Sequence, residues 1–110
     1  MSRIFLLFSV ALLAWPVLSQ AAGTGRIFVT NEGSDSVSVI NGKTLEVEQT
    51  LAIGKRPRGI GLSPDGHELY VAASEDNAIV VVDPGSLEVL RSFQAGSDPE
   101  TFAVHPNGHI

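Results

Sequence analysis

The chain has 110 residues, of which 44% are apolar and 17% charged, with no cysteine and a formal net charge of −5. This composition is typical of a folded globular domain, and it excludes a disordered chain and a disulfide framework. The negative charge, with no basic stripe to offset it, repels the phosphate backbone of nucleic acids. We therefore expect no nucleic-acid partner.

The first residues have the layout of a secretory signal peptide. Arg3 precedes an apolar run over 4–15, and Pro16 and the small-residue sequence Ser19-Gln20-Ala21 follow it. The apolar run is shorter than the ~20 residues that a bilayer-spanning helix needs. The pattern predicts export, with cleavage near Ala21 or Ala22. An uncleaved N-terminal anchor is the alternative.

Export divides the chain into two parts, a signal peptide over 1–22 and a mature part over 23–110. We expect the mature part to be periplasmic and to hold no membrane span. Removal of Arg3 with the signal peptide changes the formal charge from −5 to −5 − 1 = −6. Without cysteine, the exported part must hold its shape by side-chain contacts alone.

The mature sequence repeats itself with a period of 42 residues. A shift of 42 positions, without a gap, aligns Leu45-Glu46-Val47 with Leu87-Glu88-Val89. It also aligns turn-forming and apolar residues, and the further identical pairs include Val29 with Val71, Val39 with Val81, Gly54 with Gly96, Pro57 with Pro99, Pro64 with Pro106, Gly66 with Gly108 and His67 with His109. Because turn residues and apolar residues align together, the period indicates a structural repeat.

Each repeat is predicted to consist of short strands and turns. Its β-branched and aromatic runs lie between clusters of Gly, Pro, Asn, Asp and Ser, and none has helical spacing. The strands predicted in the second unit are 59–62, 68–73, 78–83 and 88–95. The two turns Ser63-Pro64-Asp65-Gly66 and Asp83-Pro84-Gly85-Ser86 each contain proline, aspartate and glycine. In both, proline fixes its own φ, aspartate can bond to the backbone, and glycine is expected at positive φ. Four short antiparallel strands per repeat predict an all-β fold, the β-propeller, in which each repeat forms one blade.

The repeat resembles the YVTN-type β-propeller family. The resemblance is carried by Phe28-Val29-Thr30-Asn31, by the loop and strand over 32–40, and by residues 58–66, and it covers essentially all of the mature part. Together with the signal peptide, the turn Arg56-Pro57-Arg58-Gly59 is similar to periplasmic propellers associated with pyrroloquinoline quinone (PQQ)-dependent alcohol catabolism. Ala72-Ala73 departs from the pattern, since Thr-Asn stands at that position in the first unit.

Only about two blades are expected. Residues 26–30 match the second strand of the repeat, so the first blade lacks its inner strand, and Ile110 follows one strand of a third blade. The chain would then hold three strands of the first blade, four of the second and one of the third, whereas a closed ring has four to eight blades. We expect an N-terminal fragment with open strand edges and apolar faces. A short protein whose copies assemble into a ring is the alternative.

Candidate binding residues lie in the loop before the inner strand, at one face of the predicted disc. This loop keeps its glycine and proline in both units but reverses its charges, since Arg56 aligns with Asp98 and Arg58 aligns with Glu100. The candidates are Lys55, Arg56, Arg58, Asp98 and Glu100. Arginine binds carboxylate and phosphate through two parallel bonds, so we expect either a protein partner or a small anionic ligand. The alternative is that the arginines only pair with Asp98 and Glu100 of the next unit.

No metal or cofactor site is predicted. His67 and His109 have the same register and lie one blade apart, His105 lies between a strand and a turn, and no acidic ligand has zinc-like spacing. Propeller quinoprotein dehydrogenases use repeated tryptophan motifs to hold PQQ, whereas Trp15, within the signal peptide, is the single tryptophan. Direct PQQ binding is therefore not expected.

No catalytic residue is predicted either. Ser63, Asp65 and His67 share one tight turn and its exit, whereas a catalytic triad brings together separate elements of the fold. The sequence instead predicts an exported, non-enzymatic propeller that acts as a binding or accessory platform, functionally linked to a PQQ-dependent dehydrogenase. The alternatives are an enzyme or redox carrier of the lactonase or haem-d1-like kind, with its active groups in further blades, and a cell-envelope or surface propeller.

Overall fold

The computed structural model describes residues 23–110, and the predicted signal peptide lies outside the described residues. The strands are β1 Arg26–Asn31, β2 Ser36–Asn41, β3 Val47–Ala52, β4 Pro57–Leu62, β5 Leu69–Ala73, β6 Ala78–Val82 and β7 Val89–Gln94. A single 3₁₀ turn follows β1 and another follows β5. In the described part of the chain, no helix has the length and apolar character needed to span a bilayer.

The strands form two antiparallel sheets in simple meander order, β1-β2-β3 and β4-β5-β6-β7. The all-β prediction is confirmed, and the strands predicted in the second unit are found with ends that shift by at most two residues. The two sheets also share an irregularity in strand pairing. The register between the last two strands shifts at Val39/Ile40 in the first sheet and, 42 positions later, at Val81/Val82 in the second. Each sheet is one propeller blade, and the first has three strands.

Left-handed backbone conformations recur with the same period. The non-glycine residues of positive φ form three pairs separated by 42 positions, which are Asp35 (53°) with Asn77 (51°), Leu45 (61°) with Leu87 (65°) and Arg56 (52°) with Asp98 (48°). Gly66, at 73°, has the positive φ that was predicted for its turn. The equivalent prediction for Gly85 is wrong. The left-handed residue of that turn is Leu87, because its amide donates to the Asp83 carbonyl (2.8 Å) and closes a wider turn.

The main core lies between the two sheets. Val37 and Val39 of the first sheet belong to one cluster with Leu69, Val71 and Val82 of the second, and all five side chains are buried. Burying one such side chain stabilises a fold by about 1.5–3 kcal/mol. One face of each sheet therefore covers the opposite face of the next, as expected for propeller blades.

A second cluster covers the far face of the second sheet. Tyr70 and Val81 are buried there under Phe102 and Val104, and the rings of Tyr70 and Phe102 meet edge to face at 6.3 Å. The sequence predicts a first strand of a third blade in this segment, but residues 99–104 are not in a sheet. That prediction is wrong for the described residues, because a strand requires a hydrogen-bonded neighbour and none lies beside this segment.

Candidate functional site

Three loops meet at one end of the sheets, as the alternating strand directions predict. The Lys55 amide donates to Asp76 Oδ2 (2.7 Å), and the Arg56 amide donates to Asp35 Oδ1 (2.8 Å). The Arg56 carbonyl accepts from the amide (3.1 Å) and the hydroxyl (2.9 Å) of Ser74. We call this end of the molecule the loop face, which comprises these three loops, residues 31–35, 54–58 and 74–77, and a fourth loop, residues 96–100.

The same backbone cap occurs twice at the loop face. In each case a side-chain oxygen accepts a hydrogen bond from the amide of a left-handed residue. Asn77 Oδ1 accepts from the Asp98 amide (2.9 Å), one repeat after the contact of Asp35 with Arg56. A left-handed conformation costs a non-glycine residue about 1–2 kcal/mol, and these caps help to offset that cost at Arg56 and Asp98. The repeat thus holds one backbone geometry in both blades while the side chain displayed there changes from a cation to an anion.

The arginines of the loop face are engaged by carboxylates. Arg56 Nε lies 2.7 Å from Glu32 Oε1, and Arg58 Nη1 lies 2.6 Å from Glu100 Oε1. The hydrogen bond between Arg56 and Glu32 is the main cause that lowers the pKa of Glu32 and raises the pKa of Arg56. The expected pairing of Arg58 with Glu100 is present, whereas Arg56 pairs with Glu32 instead of Asp98. These pairs are exposed to solvent, so each contributes little to the stability of the fold.

A shallow depression of about 540 Å³ lies among these side chains. It is lined by Glu32, Gly33, Asp35, Arg56 and Glu75. Three carboxylates therefore surround one guanidinium, whose Nε already contacts Glu32. This electrostatic setting opposes a small anion and suits cationic groups on a larger partner.

All five candidates predicted from the sequence lie at the loop face. Sequence reasoning missed Glu32 and Asp35, which hold the side chain and the backbone of Arg56. The sequence does contain a signal for the cap at Arg56. Asp35 and Asn77 lie 42 residues apart, and both have a short side chain whose oxygen can accept a hydrogen bond from a backbone amide. Glu32 gave no such signal, since its equivalent in the second unit is Ser74.

The Ser63, Asp65 and His67 network lies at the opposite end of the sheets and stabilises a turn. Asp65 Oδ1 accepts from Ser63 Oγ (2.6 Å) and from the His67 amide (3.0 Å). The bond from Ser63, followed by that from His67, lowers the pKa of Asp65 to about 2. In the next unit His105 replaces Ser63, and its Nδ1 accepts from the Asn107 amide (3.2 Å). Over residues 23–110, no group of three or more potential ligands is placed to hold a metal ion.

The sequence matches a known family over nearly its whole length. Residues 6–109 match the family described as YNCE-like beta-propeller. No curated protein matches the chain.

Solved structures of β-propellers resemble this fold. Hydrazine synthase of Kuenenia stuttgartiensis matches with a TM-score of 0.71 and 26% identity, over 76% of this chain and 24% of that one. The dihydro-heme d1 dehydrogenase NirN, in complex with DHE, matches with a TM-score of 0.67 and 25% identity, over 76% of this chain and 18% of that one. Apo AztD from Citrobacter koseri, at 19% identity and a TM-score of 0.60, matches over 69% of this chain and 22% of its own length and supports the fold alone. The chain thus spans a quarter or less of each of these proteins.

Proposed function

Because the chain belongs to the YNCE-like β-propeller family, we propose that it is a non-enzymatic binding module whose loop face contacts a protein partner. One observation carries the proposal. The backbone at residues 56 and 98 has the same left-handed geometry and the same side-chain cap, yet the displayed charge is opposite. A scaffold held constant beneath variable side chains is the usual arrangement of a recognition surface on a repeat fold.

The electrostatics of the loop face favour a protein over a small anion. Arg56 and Arg58 are already bound by Glu32 and Glu100, so a phosphate or carboxylate ligand would have to displace a carboxylate. A protein surface with mixed charges can instead contact the exposed Lys55 and Asp98 alongside these pairs.

We place this module in the periplasm, as an accessory to PQQ-dependent oxidation of alcohols. The support is the signal-peptide pattern of residues 1–22 and the resemblance of the first repeat and of the turn at residues 56–59 to propellers of that system. The partner in this proposal is the PQQ-dependent dehydrogenase itself, and PQQ does not bind to the module.

The proposal is tested by measuring the affinity of the purified chain for a purified PQQ-dependent alcohol dehydrogenase by biolayer interferometry. Arg58→Glu should weaken binding by about tenfold or more, which corresponds to at least about 1.4 kcal/mol. Lys43→Glu is the matched control, because it makes the same change of charge in an exposed turn at the opposite end of the sheets. Its affinity should stay within about twofold of that of the parent chain.

The double variant Arg58→Glu with Glu100→Arg separates binding from stability. It keeps an ion pair but reverses its direction, so it should regain thermal stability lost by the single variants without regaining affinity. Equal effects of Arg58→Glu and Lys43→Glu on affinity, or no binding by the parent chain, would contradict the proposal.

A redox function is the second candidate, because two of the structures resembling this fold at 25–26% identity are hydrazine synthase and a heme d1 dehydrogenase. In that case the active groups would lie outside the matched blades. Titration with haem of the longer protein that carries those further blades, followed by its visible spectrum, distinguishes the candidates. The binding-module proposal predicts the spectrum of free haem, and a shifted Soret band at stoichiometric haem would favour the redox candidate.

A further inference from the structure

Glu32 lies between two points at which the first blade fixes the backbone of the second. The Arg56 amide donates to Asp35 Oδ1 (2.8 Å), and the Arg58 carbonyl accepts from Thr30 Oγ1 (2.9 Å). Glu32 belongs to the 3₁₀ turn between these two anchors in the sequence. Its carboxylate therefore approaches the arginines from a segment that is held against their backbone on either side.

One oxygen of Glu32 serves both arginines. Glu32 Oε1 lies 2.7 Å from Arg56 Nε and 3.8 Å from Arg58 Nε. Arg58 Nη1 also lies 2.6 Å from Glu100 Oε1, so the four side chains form a chain of alternating charge across the loop face. Two guanidinium groups that meet at one oxygen form a common kind of oxyanion site, since each can donate parallel hydrogen bonds. In this molecule the oxygen that they share belongs to Glu32.

The second unit of the repeat shows which of these residues change together. A shift of 42 positions replaces the two arginines by Asp98 and Glu100, and it replaces Glu32 by Ser74. The carboxylate is thus present in the unit that has the arginines and absent from the unit that has acids in their place. Ser74 uses its hydroxyl for the Arg56 carbonyl (2.9 Å), which is a backbone contact. The carboxylate at position 32 therefore matches the arginines and is not required by the backbone of the repeat.

We propose that Glu32 sets the specificity of the loop face by occupying an oxyanion site on Arg56 and Arg58. It is an internal ligand, so a small oxyanion such as phosphate, sulfate or a free carboxylate must displace it in order to bind. A protein partner does not meet the same exclusion, because its cationic groups can contact the carboxylates of the loop face directly. The inference rests on the proposed function, in which the loop face is the binding surface, and it identifies the residue that rejects small ligands.

The site is open to solvent, so the exclusion depends on contact and charge and not on access. The side chains of Glu32 and Arg56 are 47% and 43% exposed, and a dissolved anion can reach the guanidinium group without movement of the backbone. Glu75 lines the same depression, yet none of the ion pairs described for the two arginines includes it. Removal of Glu32 and removal of Glu75 therefore separate loss of a contact from loss of a nearby charge.

Phosphate titration of the purified chain at pH 7, followed by the NMR signals of the Arg56 and Arg58 Nε–H groups, tests the inference. Glu32→Gln removes the charge and keeps the length of the side chain. It should bind inorganic phosphate at least about fivefold more tightly than the parent chain, because Arg56 is released and Arg58 keeps only Glu100. Both Nε–H signals should shift together as phosphate is added.

Two further variants sharpen the test. Glu75→Gln is the matched comparison, since it removes the same charge from the same depression, and it should gain no more than about twofold in phosphate affinity. Adding Arg56→Gln to Glu32→Gln should abolish the gain. Equal gains for Glu32→Gln and Glu75→Gln, no gain for Glu32→Gln, or a gain that survives the loss of Arg56 would each overturn the inference.

The result can be separated from folding and from partner binding. Glu32 and Glu75 are exposed residues of the two 3₁₀ turns, so the circular dichroism of both single variants should match that of the parent chain. The titration uses no protein partner, so its failure leaves the proposed function standing. A chain that gains phosphate affinity as expected but does not bind the dehydrogenase would count against the proposed function alone.

Discussion

Substitution of Gly54 by alanine, with Gly96 as its repeat-related control, separates backbone strain from crowding. Both glycines have positive φ, at +62° and +77°. Alanine in this conformation costs about 1–2 kcal/mol at either position. A Cβ on Gly54 would lie 2.5 Å from Ala73 Cβ, whereas a Cβ on Gly96 meets nothing within 4 Å. Ordinary contact starts at 3.4 Å, so the buried Ala73 or the loop must move by about 1 Å, and such overpacking costs a further ~1–3 kcal/mol.

Urea unfolding of the purified variants measures this difference. Gly54→Ala should lower the free energy of unfolding by about 2–5 kcal/mol, and Gly96→Ala should lower it by about 1–2 kcal/mol. Adding Ala73→Gly to Gly54→Ala removes the closest contact, so the double variant should lose less than the sum of the two single losses. Equal losses for Gly54→Ala and Gly96→Ala, or strict additivity in the double variant, would refute this reasoning.

Two further predictions concern the core and the response to acid. Leu69→Ala should lower the free energy of unfolding by about 2–5 kcal/mol, because Leu69 is 2% exposed in the core between the sheets. Leu90→Ala should change it by no more than about 0.5 kcal/mol, because Leu90 is 47% exposed, and equal losses in urea unfolding would contradict the described core. The pKa of Asp65 lies at about 2, below its usual 3.8, so its stabilising effect is complete above pH ~4 and is lost as the pH falls towards 2. Asp65→Asn keeps an acceptor, as Asn107 does for the His109 amide (3.0 Å). It should be less stable than the parent chain in thermal unfolding at pH 7, because a neutral amide accepts more weakly than the carboxylate, and it should lose less stability between pH 4 and 2. An unchanged acid profile would contradict this role.

The sequence allowed the strands to be predicted because the information is local and is present twice. Each strand is a run of β-branched and apolar residues that ends where turn-forming residues begin. Because the pattern recurs 42 residues later, each strand predicted in one unit can be compared with its equivalent in the other. Residues 99–104 show the limit of this reasoning. Their sequence has the pattern of a strand, but a strand also depends on a neighbour, and no neighbour pairs with them among the described residues.

The candidate site was only partly predictable. The loops and their shared end follow from strand direction, so Arg56, Arg58 and Glu100 were placed correctly at one face. The partner of Arg56 was not, because the choice between Glu32 and Asp98 depends on where two flexible side chains meet in space. The left-handed Leu87 was missed for a related reason, since the amino-acid type favoured Gly85 and the hydrogen bond to the Asp83 carbonyl decided otherwise.

Cross-strand nuclear Overhauser effects in the second and third strands of the repeat test most directly whether both units fold into equivalent blades. The described ladders pair Val29 with Ser38 in the first sheet and Val71 with Val80 in the second. We predict in-register cross-peaks at both pairs, separated by 42 positions along the chain. Cross-peaks in one unit alone, or helical contacts between residues three apart in either unit, would contradict a repeated blade.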